Sequence, residues 1–168
     1  VNLCDVVSGK VVRQLNGQGR IHSVAFSPDG ALLACGTTGE RVHVWDVATG
    51  EEARAFRGQE IRGGCVAFSP DGRILAAGGS EKGIDVIAFR EVATGGVLRR
   101  LQTGTNRVHA LTFSPDGRTL AAGGGKSVVK LWGLATGQLL GEFEGHRNEI
   151  FAVRFSPDGK SLAAGGRD

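Results

Sequence analysis

The pentapeptide FSPDG is written four times in this chain, at Phe26–Gly30, Phe68–Gly72, Phe113–Gly117 and Phe155–Gly159, and these copies hold all four prolines. Proline presets the backbone for the second position of a turn, aspartate tolerates the third, and glycine accepts a positive φ. Each copy therefore predicts a tight reversal between two strands. The residues before it alternate with a period of two (SVAF, CVAF, ALTF, AVRF), which reads as a half-buried strand. A run of small residues follows each turn: LLACG, ILAAGG, TLAAGG and SLAAGG. Alanine and glycine there let a neighbouring sheet approach closely.

The four phenylalanines stand 42, 45 and 42 positions apart. A second marker, SG or TG ending at Gly9, Gly50, Gly95 and Gly137, keeps step at 41, 45 and 42. The second unit carries its three extra residues within GGSEKGIDVIAF. A third strand follows in each unit (RVHVWDV, IDVIAFREV, VVKLWGL), and the TG turn leads to a fourth (EARAF, GVLRRL, QLLGEF). No segment sustains a helical period. The unit is four antiparallel strands in about 42 residues.

This pattern resembles the WD-repeat β-propeller family along the whole chain. The residues that carry the resemblance are Gly145-His146, the four FSPDG turns, Trp45-Asp46 and the DVATG of Asp46–Gly50. It implies an all-β propeller of four-stranded antiparallel blades. The chain begins in a third strand, VNLCDV, and stops after a second, SLAAGGRD, so it holds four blades' worth of strands with one blade split between its termini. The expected parts are residues 1–19 (strands three and four of the split blade), three whole blades at 20–60, 61–104 and 105–147, and residues 148–168 (strands one and two of the split blade).

In the family, a histidine of a GH pair, an aspartate between strands two and three, and the tryptophan of a WD pair resemble a buried hydrogen-bonded set. The residues implied here are His146, Asp168, Asp5, Trp45, Asp46 and Trp132. The set is eroded. The GH position reads Gly17-Gln18, Gly58-Gln59 and Gly104-Thr105, the WD position reads Cys4-Asp5, Arg90-Glu91 and Trp132-Gly133, and the turn aspartate of the first unit is Gly39. Packing is therefore expected to hold most blades, because a partly satisfied polar set is costly.

Three ring arrangements fit: a stretch of a longer seven- or eight-bladed protein, two identical chains forming one eight-bladed ring, or a four-bladed ring within one chain. The resemblance implies blades shaped for the larger rings. An open half-ring would expose strand edges and apolar faces. A homo-oligomer in which two chains complete one ring is the expected state of a chain standing alone.

Composition narrows function. The chain has 168 residues, of which 40% are hydrophobic and 22% charged, enough for a packed domain. Its net charge of +3 is scattered, and the longest basic run is Arg99-Arg100, so a nucleic-acid partner is not expected. No apolar run approaches the roughly 18–20 residues of a membrane span, and the N-terminal residues lack the pattern of a signal peptide. Cys4, Cys35 and Cys65 match no disulfide or zinc pattern and are expected to be small buried residues of a cytoplasmic protein. The GGGKS of Gly123–Ser127 lacks the upstream glycine of a phosphate loop, since that position is Leu120, and a strand follows it. No histidine stands at metal-ligand spacing and no nucleophile pattern occurs, so no catalytic residue, cofactor or metal is expected.

What remains is recognition of a protein partner. Six positions before each FSPDG phenylalanine stand Arg20, Arg62, Arg107 and Glu149, and four before stand His22, Gly64, His109 and Phe151. By family resemblance these lie near the mouth of the central channel. Arg20, His22, Arg62, Arg107, His109, Glu149 and Phe151 are therefore the candidate partner-binding residues, with the arginines as a basic arc. The expected function is a non-catalytic scaffold for protein–protein interaction. The alternatives are a regulatory or sensor region of a larger signalling enzyme such as a kinase, and a binder of nucleic acid or another anion through the arginine arc.

Overall fold

Gly30, Gly72, Gly117 and Gly159 sit at φ of 72, 71, 68 and 71°. These are conformations that only glycine adopts without strain. In each turn the serine hydroxyl donates to the aspartate at 2.5–2.6 Å (Ser27 to Asp29, Ser69 to Asp71, Ser114 to Asp116, Ser156 to Asp158). The same hydroxyl accepts the N–H five residues on, from Leu32, Ile74, Thr119 and Ser161, at 2.9 Å. The aspartate accepts a further N–H, from Ala31, Arg73, Arg118 and Lys160. The serine bond, and then that backbone bond, hold all four carboxyls below the ordinary value of 3.8.

A pH dependence follows. A carboxyl whose pKa is lower in the folded than in the unfolded chain adds stability above the unfolded value, and that stability is lost as pH falls through the folded value. The melting temperature should hold between about pH 7 and 5 and drop below about pH 4. A thermal-melt series with no drop between about pH 5 and 3 would contradict this account of the turns.

The computed structural model describes residues 1–17, 19–37, 41–57, 64–81, 83–105 and 107–168. A two-stranded sheet, β1 (Asn2–Cys4) and β2 (Val11–Gln14), comes first. Three four-stranded antiparallel sheets follow. They are β3 (Ile21–Phe26), β4 (Leu32–Thr37), β5 (Arg41–Asp46) and β6 (Glu52–Arg57); β7 (Cys65–Phe68), β8 (Ile74–Glu81), β9 (Ile84–Glu91) and β10 (Val97–Gln102); and β11 (Val108–Phe113), β12 (Thr119–Gly124), β13 (Val129–Gly133) and β14 (Leu139–Phe143). A second two-stranded sheet, β15 (Ile150–Phe155) and β16 (Leu162–Gly166), ends the chain. The chain is thus all-β, built of propeller blades. The extra residues of the second unit lengthen β8 and β9 to eight residues each. Among the described residues no helix is long and apolar enough to cross a membrane.

The first strands β3, β7, β11 and β15 lie side by side in chain order, so successive sheets fan out from them. Apolar cores fill the gaps between sheets. One joins Val42, Val44 and Phe56 to Val66 and Leu75, and another joins Ile87 and Phe89 to Leu111, Phe113 and Trp132. The glycines of the second strands permit the approach. A Cβ on Gly78 would stand 2.7 Å from Val108, and one on Gly123 would stand 2.6 Å from Ile150. Cys35 and Cys65 are buried, and burial pushes their thiols up to about 11 and about 12. Cys4 departs from the expectation. It is exposed: among the described residues β1 is hydrogen-bonded only to β2.

Candidate functional site

Strand β3 alternates half-buried and exposed residues, which places His22 and Val24 on one side of it. Strands β11 and β15 bring His109 and Phe151 to the corresponding places. A concavity of about 320 Å³ opens between these inner strands, lined by His22, Val24, Cys65, His109, Phe151 and Arg154 among others. The rings of His109 and Phe151 have centroids 5.1 Å apart and planes tilted by 40°. Nε2 of His109 is buried without a hydrogen-bond partner, and the nearest Glu149 oxygen is 3.7 Å away, beyond bonding range. Nη1 of Arg154 crosses from β15 to donate to the Leu111 carbonyl at 3.3 Å and also donates to the Val153 carbonyl at 3.1 Å. The groove thus combines an aromatic face, a buried imidazole nitrogen without a hydrogen-bond partner and a guanidinium anchored by one of its nitrogens. The accessible lining of the concavity is more polar than apolar.

Arg20, Arg107 and Glu149 do not line this groove, although the Glu149 carboxylate stands beside His109. Arg20 is exposed just ahead of β3, and Arg107 is exposed just ahead of β11 with a φ of 76°. Neither is among the lining residues. Arg62 lies outside the described residues. Glu149 is half-buried, and its carbonyl accepts the N–H of Arg167 at 3.0 Å.

Of the residues implied for the family's polar set, the structure joins His146 to Asp168, with Nδ1 2.8 Å from Oδ1. That bond is the main cause holding the Asp168 carboxyl low. Trp45 is buried and stacks on His43 at 5.3 Å, and Nδ1 of His43 pairs with the Glu52 carboxylate. Asp46 and Asp5 cap the turns after them by accepting the N–H of Thr49 and of Ser8, both at 2.7 Å. Trp132 is buried between sheets.

Sequence reasoning missed two clasps between sheets. Arg13 on β2 donates to the Thr49 and Ala48 carbonyls at 2.6 and 2.5 Å. Arg99 on β10 donates to those of Leu134 and Thr136 at 3.1 and 2.8 Å. A planar guanidinium can bridge two acceptors in this way. Each arginine stands four residues after a marker glycine, Gly9 or Gly95, and that fixed offset was the available signal. Among the described residues no group of three His, Cys, Asp or Glu could hold a metal ion.

The comparisons agree with this architecture. A family model described as WD domain, G-beta repeat matches four times, over residues 9–46, 52–84, 95–133 and 137–168. A stretch of 36 residues is 53% identical to a probable serine/threonine-protein kinase, PkwA, of Thermomonospora curvata. That stretch is 21% of this chain and 5% of the kinase's length.

Proposed function

Since the chain belongs to the WD-repeat family, whose propellers serve as platforms for protein binding, we propose that it is a non-catalytic scaffold whose inner-strand groove receives a protein partner. The observation that carries this is the convergence of His22, His109 and Phe151, from the sheets that contain β3, β11 and β15, on one concavity. The exposed Phe151 ring beside the exposed Arg154 side chain is suited to a peptide segment offering an apolar side chain and a hydrogen-bond acceptor. Three free cysteines support a cytosolic setting. Self-association into a larger, eight-bladed ring belongs to the same proposal.

The test is a random linear peptide display library panned on the folded chain. Selected peptides should lose about tenfold or more in affinity for Phe151→Ala and for Arg154→Ala. Selected peptides that bind both variants as tightly as the original chain would remove the groove from the proposal.

The likeness to a probable kinase favours a second reading, that the chain is the sensor region of a larger signalling enzyme. A kinase domain encoded in the same reading frame would support it. The arginine arc as an anion site has weaker support, because Arg20 and Arg107 lie outside the groove.

A further inference from the structure

At two junctions an arginine four residues after a marker glycine clasps the next sheet: Arg13 holds the turn that ends at Gly50, and Arg99 the turn that ends at Gly137. The same offset from Gly50 gives Arg54 on β6. Arg54 makes no such clasp. It is exposed, whereas Arg13 and Arg99 are half-buried, and among the described residues it has no hydrogen bond or ion pair. Its side chain lines a cleft of about 380 Å³ between this sheet and the next, with Phe56, Arg90, Thr94 and Gly95 among others.

The register gathers positive charge at this cleft. Arg54 pairs with Val44 and Phe56 with Val42, so these residues share the face that packs on Val66 and Leu75 of the next sheet. On that next sheet Ile87 and Phe89 pack the other way, toward Leu111 and Phe113, so Ala88 and Arg90 face β6. Arg100 stands opposite Ala88 and shares the face of Arg90. Arg90 holds the third-strand position that is Trp45 and Trp132 in the other two four-stranded sheets. It is 7% exposed, its guanidinium carbon lies 5.5 Å from the Phe56 ring centroid, and its Nη1 donates to the Gly95 carbonyl at 3.1 Å. Ring and carbonyl fix the fork in place. Burial, and then the charge of Arg100, hold the guanidinium below its ordinary value of 12.5. Among the described residues that line the cleft none is a carboxylate. Glu91, nearby in sequence, accepts the Thr94 hydroxyl at 2.6 Å.

We propose that this cleft binds an oxyanion of the phosphate class between Arg54 and Arg90, with Arg100 adding a third positive charge. Guanidinium forks match phosphate oxygens and donate paired, charge-assisted hydrogen bonds. A phosphate monoester carries close to two negative charges at neutral pH, which suits three cations better than the single charge of a carboxylate. A fork already held by burial loses little freedom when the ligand arrives. The cleft lies between outer strands and the peptide groove is lined by inner ones, so this site goes beyond the scaffold reading and does not depend on it. Free phosphate and a phosphoserine side chain of a protein partner present the same group.

The experiment titrates the whole chain with inorganic phosphate at constant ionic strength, read by calorimetry. One saturable site is expected. Arg54→Gln removes a charge without breaking a bond and should weaken binding about tenfold or more. Arg90→Lys keeps the charge, loses the fork and should weaken binding as well. Arg118→Gln, at an exposed turn position outside the cleft, should leave it unchanged. Thermal melts check that each variant is folded, and Arg54→Gln carries the test alone if Arg90→Lys is not. A second arm titrates a short phosphoserine peptide. Affinity at least about tenfold above that of inorganic phosphate would identify a protein-borne phosphate as the ligand, and equal or lower affinity a free one. No saturable binding of either probe, or binding that Arg54→Gln leaves unchanged, would overturn the proposal.

Discussion

Trp132→Ala should cost the fold about 3–5 kcal/mol, the range for deleting a buried aromatic side chain. In a chain of this length that is a fall in melting temperature of roughly 10 °C or more. The reason is where the indole sits. Trp132 is 3% exposed, lies opposite Leu120 within its own sheet, and packs on Ile87 and Phe89 of the sheet before it. Phe89 meets Phe113 edge to face at 6.4 Å in the same cluster. Removing the indole loses the transfer energy of a large apolar group and leaves a void between two backbones that backbone hydrogen bonds prevent from collapsing. The family's polar set is incomplete around it, since this unit has Gly133 after the tryptophan and Thr105 at the histidine position. Leu98→Ala, at an exposed site on a fourth strand, is the control and should change stability by less than about 0.5 kcal/mol. A Trp132→Ala protein melting within about 2 °C of the original would mean that packing between sheets is not what holds the blades.

The parts of this fold that were legible in the sequence are those with local causes. FSPDG specifies its turn because serine, proline, aspartate and glycine each do their work within six residues, as the bonds from Ser27 to Asp29 and Leu32 show. The small-residue second strands were legible for a related reason, since glycine marks where another chain segment comes close. What a strand packs against is not local. LAAGG cannot say whether it will be buried, since the same five residues are buried in β12 and half to fully exposed in β16. Cys4 was misread for the same reason, because small and apolar residues are buried only where a neighbouring strand covers them. At the candidate site, counting back from each phenylalanine found His22, His109 and Phe151, which the structure joins. It also named Arg20 and Arg107, two positions further from the turn, which fall outside the concavity. Arg154 was overlooked because only the fourth unit has arginine just before its phenylalanine; the others have Ala25, Ala67 and Thr112.

Gly124→Ala should destabilise the protein by about 2–3 kcal/mol although it adds one methyl group, at the upper end of overpacking costs. Gly124 ends β12 opposite Val108, where the pairing with β11 shifts register. A Cβ there would lie 1.6 Å from the Arg107 carbonyl oxygen and 2.8 Å from its carbon. Both are backbone atoms, so no rotamer change relieves the clash. The carbonyl cannot swing away freely, because it accepts the N–H of Gly125 at 3.2 Å and the hydroxyl of Thr105 at 3.2 Å. Arg107 already holds a φ of 76°, a region costly for a side-chain residue, so the segment has little further strain to absorb. The displacement passes along β11 to His109, two residues on, and peptides selected on the groove should therefore bind more weakly as well. Gly141→Ala separates this from a general intolerance of glycine replacement, since nothing lies within 4 Å of its Cβ position. It should be neutral or slightly stabilising, because alanine narrows the unfolded ensemble. Thermal melts of the two variants, with peptide binding measured on each, decide the matter: equal melting temperatures would show that the approach of Arg107 to β12 carries no constraint on the fold.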